Sequence, residues 1–321
     1  MLGKVVTIAG NAFRETVRQP VFCVLLVVAG ALIALSPAFA MFTLLENVKL
    51  VKDMGLSTIL LAGLLLAVLS ASNVVTEEVR GRTALMVMSR PVGRAQFVLG
   101  KFLGIVAAQA VGVYLLALVL VLTVRVGVPE AAYTKLDSPV IWGELAAVVL
   151  TLVVASGANY FFDKPFPSAL VIAGTVLFTA VFVGLGFFDA DLKPVPFLTA
   201  YDMQTFRACV VLFPMVAILT AAAVACATRL SLVMSVVACS LFFSVGTLSD
   251  YLFGRHAATS TAAAIPYTLL PNFQVFWMGD ALSAEAFVPM GYVVTVFVYG
   301  ALCTASLVLL GMWLFEAREI Q

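Results

Sequence analysis

Apolar residues in this chain come in long blocks parted by short polar stretches. A hydrocarbon core about 30 Å thick requires about 20 apolar residues in helical form. Eight stretches meet or approach that length: 21–44, 55–75, 102–122, 141–162, 168–187, 208–228, 231–249 and 291–315. Glu144 sits near one end of the fourth, and the other seven contain no Asp, Glu, Lys or Arg. The pattern predicts an all-α integral membrane protein with about eight transmembrane helices. Two very short connections, DKPFP (163–167) and ATRLS (227–231), join paired spans; a re-entrant hairpin at either would lower the count to six or seven.

Residues 1–18 follow a different pattern. On a helical wheel Val5, Ile8, Ala9, Ala12, Phe13 and Val17 share one face, while Lys4, Asn11, Arg14, Glu15 and Arg18 share the other. That is the signature of a helix lying in the membrane interface. Gln19-Pro20 then breaks the helix and turns the chain into the bilayer. The chain thus divides into an amphipathic interfacial helix, 1–20, and a transmembrane domain, 21–321. SPAFA, ending at Ala40, imitates a signal-peptidase site, but the long flank with Glu15 and the apolar run through Leu44 favour an uncleaved span.

Composition agrees with this division. The 321 residues are 63% hydrophobic and 11% charged, with a mean hydropathy of +1.12, whereas a soluble domain carries about a quarter charged residues. The net charge of +1 points to neither nucleic acid nor an acidic partner. With the N-terminus cytoplasmic, eight spans return the C-terminus to the same side. The inner segments then hold eleven basic and six acidic residues, the outer ones seven and eleven, in the sense of the positive-inside rule. The expected location is the plasma membrane, in a bacterium the inner membrane, with both termini cytoplasmic.

Candidate chemistry is sparse. The five cysteines (Cys23, Cys209, Cys226, Cys239, Cys303) lie in apolar stretches without CxxC spacing and read as small buried side chains, not metal ligands. The lone histidine, His256, falls in the long outer loop 250–290 without a ligand cluster. In the same loop Pro266, Tyr267, Pro271, Phe273, Phe276 and Trp277 fit short helices resting at the outer interface, where aromatic rings are favoured. Ion-coupled carriers need ionisable groups or broken helices at mid-membrane depth. The spans here offer only neutral groups such as Asn73, Gln109, Tyr114 and Asn159, and small residues (Gly63, Ser70, Gly112) suited to close helix packing. GRAQFVLGKF (93–102) is not a phosphate-binding loop: six residues instead of four separate Gly93 from Gly100, and Phe102 follows the lysine where Ser or Thr belongs. With no Gly-x-Ser-x-Gly, HExxH or paired-carboxylate motif visible, the expectation is a non-enzyme with no cofactor in this chain.

The loop 76–101 is the exception to this sparseness. EEVRGRTALMVMSRPVGRAQFVLGK (77–101) gathers five of the eighteen basic residues around the apolar run ALMVM. Thr83 can cap two turns of helix, Arg90-Pro91 ends them, and Gly93 can cap a new helix that begins at Arg94 and continues into the third span. The short helix shows Leu85, Met86 and Met88 amid Arg82, Arg90 and Arg94. It can lie on the bilayer with its arginines on lipid phosphates, tuck against the N-terminal helix, or seat in a groove on a cytoplasmic partner.

These residues carry a resemblance. An amphipathic N-terminal helix, a charged stretch after span two and S-R-P-V-x-R-x-x-F-x-x-G-K leading into span three resemble the membrane subunits of ABC-2 type (type V) ABC transporters. The matching residues are Glu77, Glu78, Thr83, Leu85, Ser89, Arg90, Pro91, Val92, Arg94, Phe97, Gly100 and Lys101. The turn within ACATRLSLVMSVVACSLFF (225–243), the segment IPYTLLPNFQVFWMGDAL before the last span and the tail FEAREI are similar too. The family usually has six spans, so 141–187 reads as an extra hairpin. The resemblance implies that 82–91 is a coupling helix seated on a separately encoded ABC ATPase, present in two copies with ATP-Mg bound to it. Two permease chains, identical or homologous, would pair with the substrate path near their interface, and the resemblance implies export. ATPase-coupling residues would be Glu77, Glu78, Arg82, Thr83, Leu85, Met86, Met88, Ser89, Arg90, Pro91 and Arg94. Two rivals stand beside this: a non-transporting membrane anchor or assembly factor that recruits a cytoplasmic partner, and an ion-coupled carrier.

Overall fold

The computed structural model describes residues 2–40, 47–76, 93–127, 136–257, 260–284 and 286–316. Within them the chain is helical throughout its long elements: α1 (Leu2–Arg18), α2 (Pro20–Ala40), α3 (Asn47–Ala71), α4 (Arg94–Val126), α5 (Ser138–Phe162), α6 (Phe166–Leu185), α7 (Met203–Ala227), α8 (Leu232–Thr247), α9 (Thr261–Leu269) and α10 (Met290–Glu316). Seven of these, α2 to α7 and α10, are long and apolar enough to cross a membrane. The molecule is therefore an all-α, multi-pass membrane protein.

The eighth predicted span is shorter than expected. Sixteen residues of α-helix rise about 24 Å, less than a hydrocarbon core. The helical path does not stop at Thr247, however. Leu248 and Leu252 continue the amide ladder onto Ser244 and Leu248, and a π-helical turn follows over Asp250–Gly254. The parity of the bundle agrees with an eighth crossing. Phe97 at the start of α4 stacks on Phe315 at the end of α10, with 5.7 Å between centroids. Arg229, in the turn between α7 and α8, donates to the Leu314 carbonyl at 2.9 and 2.6 Å. Gly100 of α4 meets Ile8 of α1. Both ends of the described chain thus lie at one end of the bundle, which requires an even number of crossings.

Three helices form the centre. In α7 83% of the most apolar window is buried, and in α3 and α4 67% and 72%, against 17% in α10 and 22% in α5. Small residues allow this close approach. A Cβ on Gly63 would lie 2.7 Å from Val216 Cγ2, bringing α3 against α7, and one on Gly300 would lie 2.5 Å from Pro214 Cβ, bringing α10 against the bend of α7. Around this centre stand α2, the α5–α6 hairpin, α8 and α10. The hairpin turns tightly because Asp163 takes the left-handed conformation (φ 50°) and Asn159 Nδ2 donates to the Lys164 carbonyl at 2.8 Å.

The aromatic segment of loop 250–290 departs from expectation. Phe273 and Phe276, in a 3₁₀ turn, are not rings resting at an interface: both are fully buried. Gly246 of α8 leaves room for the Phe273 ring, and Phe276 stacks on Tyr299 of α10, 5.8 Å between centroids. The loop fills a gap between α7, α8 and α10, and burying two whole phenyl rings outweighs the interfacial preference of an aromatic side chain.

Candidate functional site

Most of the predicted coupling segment, including Glu77, Glu78, Arg82, Thr83, Leu85, Met86, Met88, Ser89, Arg90 and Pro91, lies outside the described residues. Its two anchor points are described. Upstream, α3 passes into a π-helical turn, Ser72–Thr76, whose Val74 and Val75 are buried in the same apolar cluster as Phe97, Val224 and Phe315. Such turns widen a helix locally and recur at functional sites. Downstream, Gly93 is the extended N-cap of α4 (φ −68°, ψ 145°), and its N–H donates to Gln96 Oε1 at 3.4 Å. The helix does begin at Arg94, and it runs unbroken for 33 residues, about 50 Å.

The first turns of α4 rest on α1. A Cβ on Gly100 would lie 2.7 Å from Ile8 Cβ, and one on Gly104 would clash with the Ala9 carbonyl and lie 2.6 Å from Ala12 Cβ. Val5, Ala12, Thr16 and Val17 are buried in consequence. The apolar stripe predicted to face lipid is in large part spent on α4, a contact the Gly100-x-x-x-Gly104 spacing could have signalled. Beside it Lys101, 4% exposed, reaches Glu15 Oε2 at 3.2 Å and lies 5.7 Å from the Phe97 ring centre. Three residues of the resemblance motif, Phe97, Gly100 and Lys101, thus join α4 to α1 and α10.

The far end of α4 holds a polar centre that span hydropathy misses, because Arg125 lies just past the apolar run 102–122. The side chain is 4% exposed, and each of its three nitrogens donates a hydrogen bond. Its Nε donates to Asp137 Oδ2 at 2.8 Å, Nη1 to the Leu185 carbonyl at 2.8 Å and Nη2 to the Phe188 carbonyl at 2.7 Å. It also sits 4.9 Å from the Tyr201 ring centre. Burial pushes the Tyr201 hydroxyl up to about 12 against the lowering influence of Arg125, so it stays neutral and donates to the Phe182 carbonyl at 2.8 Å. Asp137 meanwhile caps α5 by accepting from the Val140 N–H. Nearby Lys52 pairs with Asp202 at 2.6 Å, and Asp202 caps α7.

The neutral polar groups within the spans serve helix contacts. Gln109 donates to the Gly63 carbonyl at 3.4 Å, and Tyr114 shares a 3.0 Å hydrogen bond with Thr179. Helix α4 is therefore one rod fastened to α1 at the end next to residues 77–92 and to the α5–α6 hairpin at the other. No protein-family model and no curated protein matches this chain.

Proposed function

We propose that this chain is the membrane-spanning permease subunit of an ATP-binding-cassette exporter, driven by a separately encoded ATPase that docks on residues 82–91. The observation that carries the reading is the continuity of α4: the basic and apolar segment runs directly into a helix that starts at Gly93-Arg94 and crosses the centre of the bundle without a break. A rod fixed in this way converts a push at its cytoplasmic tip into tilting of the whole helix and of the α5–α6 hairpin attached to its far end. Leu85, Met86 and Met88 fill the ATPase groove, and Arg82, Arg90 and Arg94 meet acidic groups at its rim. Two permeases and two ATPases make the working unit, with ATP-Mg on the ATPases and the termini on their side.

Co-expression with an ABC ATPase encoded beside this chain tests the reading. The double variant Met86→Asp with Arg94→Glu should still enter the membrane and elute as the native species, yet lose both ATPase co-purification and ATP-dependent transport. Unchanged co-purification overturns the docking assignment. Activity that needs no ATP hydrolysis would instead favour a membrane anchor that recruits a partner.

A further inference from the structure

Between α2, α4, α5 and α6 lies a cavity of about 250 Å³. Its wall is apolar except for two side chains of α5, Glu144 and Thr151. Seven residues apart, they lie on one face of the helix, about 10 Å from each other along its axis. Thr151 is 6% exposed, and its hydroxyl has no hydrogen-bond partner among the described residues. That is unusual here, since Thr175, Thr179 and Thr220 all satisfy theirs on the carbonyl four residues back. Glu144 receives one long contact, 3.5 Å from the Thr123 hydroxyl, and has no ion pair among the described residues. Arg125, at the same end of α4, already has its Nε, Nη1 and Nη2 engaged.

A carboxylate about 9 Å inside a membrane helix is costly to keep and marks a functional position unless a cation faces it. The other walls of the cavity supply none: α2, α4 and α6 contribute only apolar residues and glycine. The mouth opens sideways, past Val27 of α2 and Val148 and Leu152 of α5, all about half exposed on the outer surface of the bundle. A ligand therefore reaches it from the acyl-chain region. A cavity of about 150 Å³ holds benzene, so this one has room for an aromatic ring with a short side chain.

We propose that this cavity binds a hydrophobic amine drawn from the bilayer, its ammonium on the Glu144 carboxylate and its tail among Leu116, Val171 and Phe178. Thr151 supplies a second polar contact at the far end. The site belongs to a single chain and stands independently of ATPase docking.

Photolabelling of the full-length chain in lipid nanodiscs tests it. The probes are a phenethylamine bearing an aryl diazirine and the matching 2-phenylethanol, neutral and of the same shape. The amine should label α5 and α6 peptides about tenfold more strongly than the alcohol, the ratio that one ion pair of about 1.4 kcal/mol gives. Glu144→Gln should bring the amine down to the level of the alcohol. Gly30→Leu should remove labelling by both, because a Cβ at Gly30 has only Leu116 Cδ2 nearby, at 3.9 Å, and its side chain would grow into the cavity. Equal labelling by amine and alcohol in the unaltered protein overturns the proposal even should Glu144→Gln fail to fold. So does amine labelling that stays well above the level of the alcohol in Glu144→Gln, or that survives Gly30→Leu.

Discussion

At its Arg94 end α4 packs on α1 and α10, through two glycines, the Phe97–Phe315 ring pair and an ion pair whose acid, Glu15, is 39% exposed. At its Val126 end it is gripped by a buried arginine that reaches a carboxylate, two backbone carbonyls and an aromatic face, drawn from three other parts of the chain. The first contact is close backbone packing, with Gly100 against Ile8 and Gly104 against Ala9 and Ala12, and it needs few polar partners. The second cannot shift without leaving a charge and two carbonyls unpaired in a low-dielectric setting. The rod is therefore held by close apolar packing at one end and by directional polar bonds at the other.

Breaking the pinned end should cost most. Arg125→Met strands Asp137 and the Leu185 and Phe188 carbonyls, an expected loss of about 3–5 kcal/mol, read as a lower thermal midpoint by circular dichroism in detergent. Adding Asp137→Asn, which removes the orphaned charge and keeps a capping side chain, should recover part of that loss. Full additivity of the two would mean that the pair is not coupled. Next is Gly104→Leu, which forces α1 off α4. Overpacking of this kind costs about 1–3 kcal/mol, and cysteine cross-linking between α1 and α4 should drop with it.

Glu15→Gln should cost least among the substitutions, about 0.2–1 kcal/mol, because the acid is substantially solvated. A loss equal to that of Arg125→Met would erase the contrast between the two ends. A pH titration refines the pinned side further. Burial raises the Asp202 carboxyl, but hydrogen bonds from Lys52, Thr205 and the Gln204 amide, with the Lys52 charge, hold it below its ordinary value on balance. A carboxylate lowered in the folded state adds stability above its unfolded pKa and loses it as pH falls through the folded one. The thermal midpoint should therefore fall from about pH 5 towards pH 2, and fall less in Asp202→Asn.

The long helices were legible because lipid sets a length and excludes charge, so each block of 20 or so apolar residues declared itself. Gly93 at the head of α4 and the break at Gln19-Pro20 were equally plain, since both depend on local backbone chemistry. The Arg125 centre was not. Two of its acceptors are main-chain carbonyls 60 and 63 residues away, and a carbonyl leaves no mark in a side-chain pattern. Phe273 and Phe276 carry no mark of burial in the sequence, because an aromatic cluster in a loop between spans reads equally well as interfacial. Only the space left by Gly246 and Gly300 draws the rings inward. The coupling residues 77–91 rest on sequence alone.

Composition and block length were enough to make this an all-helical membrane protein and to bound its rods, because the cost of exposing backbone and charge to hydrocarbon acts on every residue in place. Which rods stand at the centre, what the amphipathic α1 leans on, and that Glu144 and Thr151 open onto a cavity were decided only by assembly. Those outcomes depend on how small residues let particular helices meet, which is a property of pairs of surfaces and not of any single stretch.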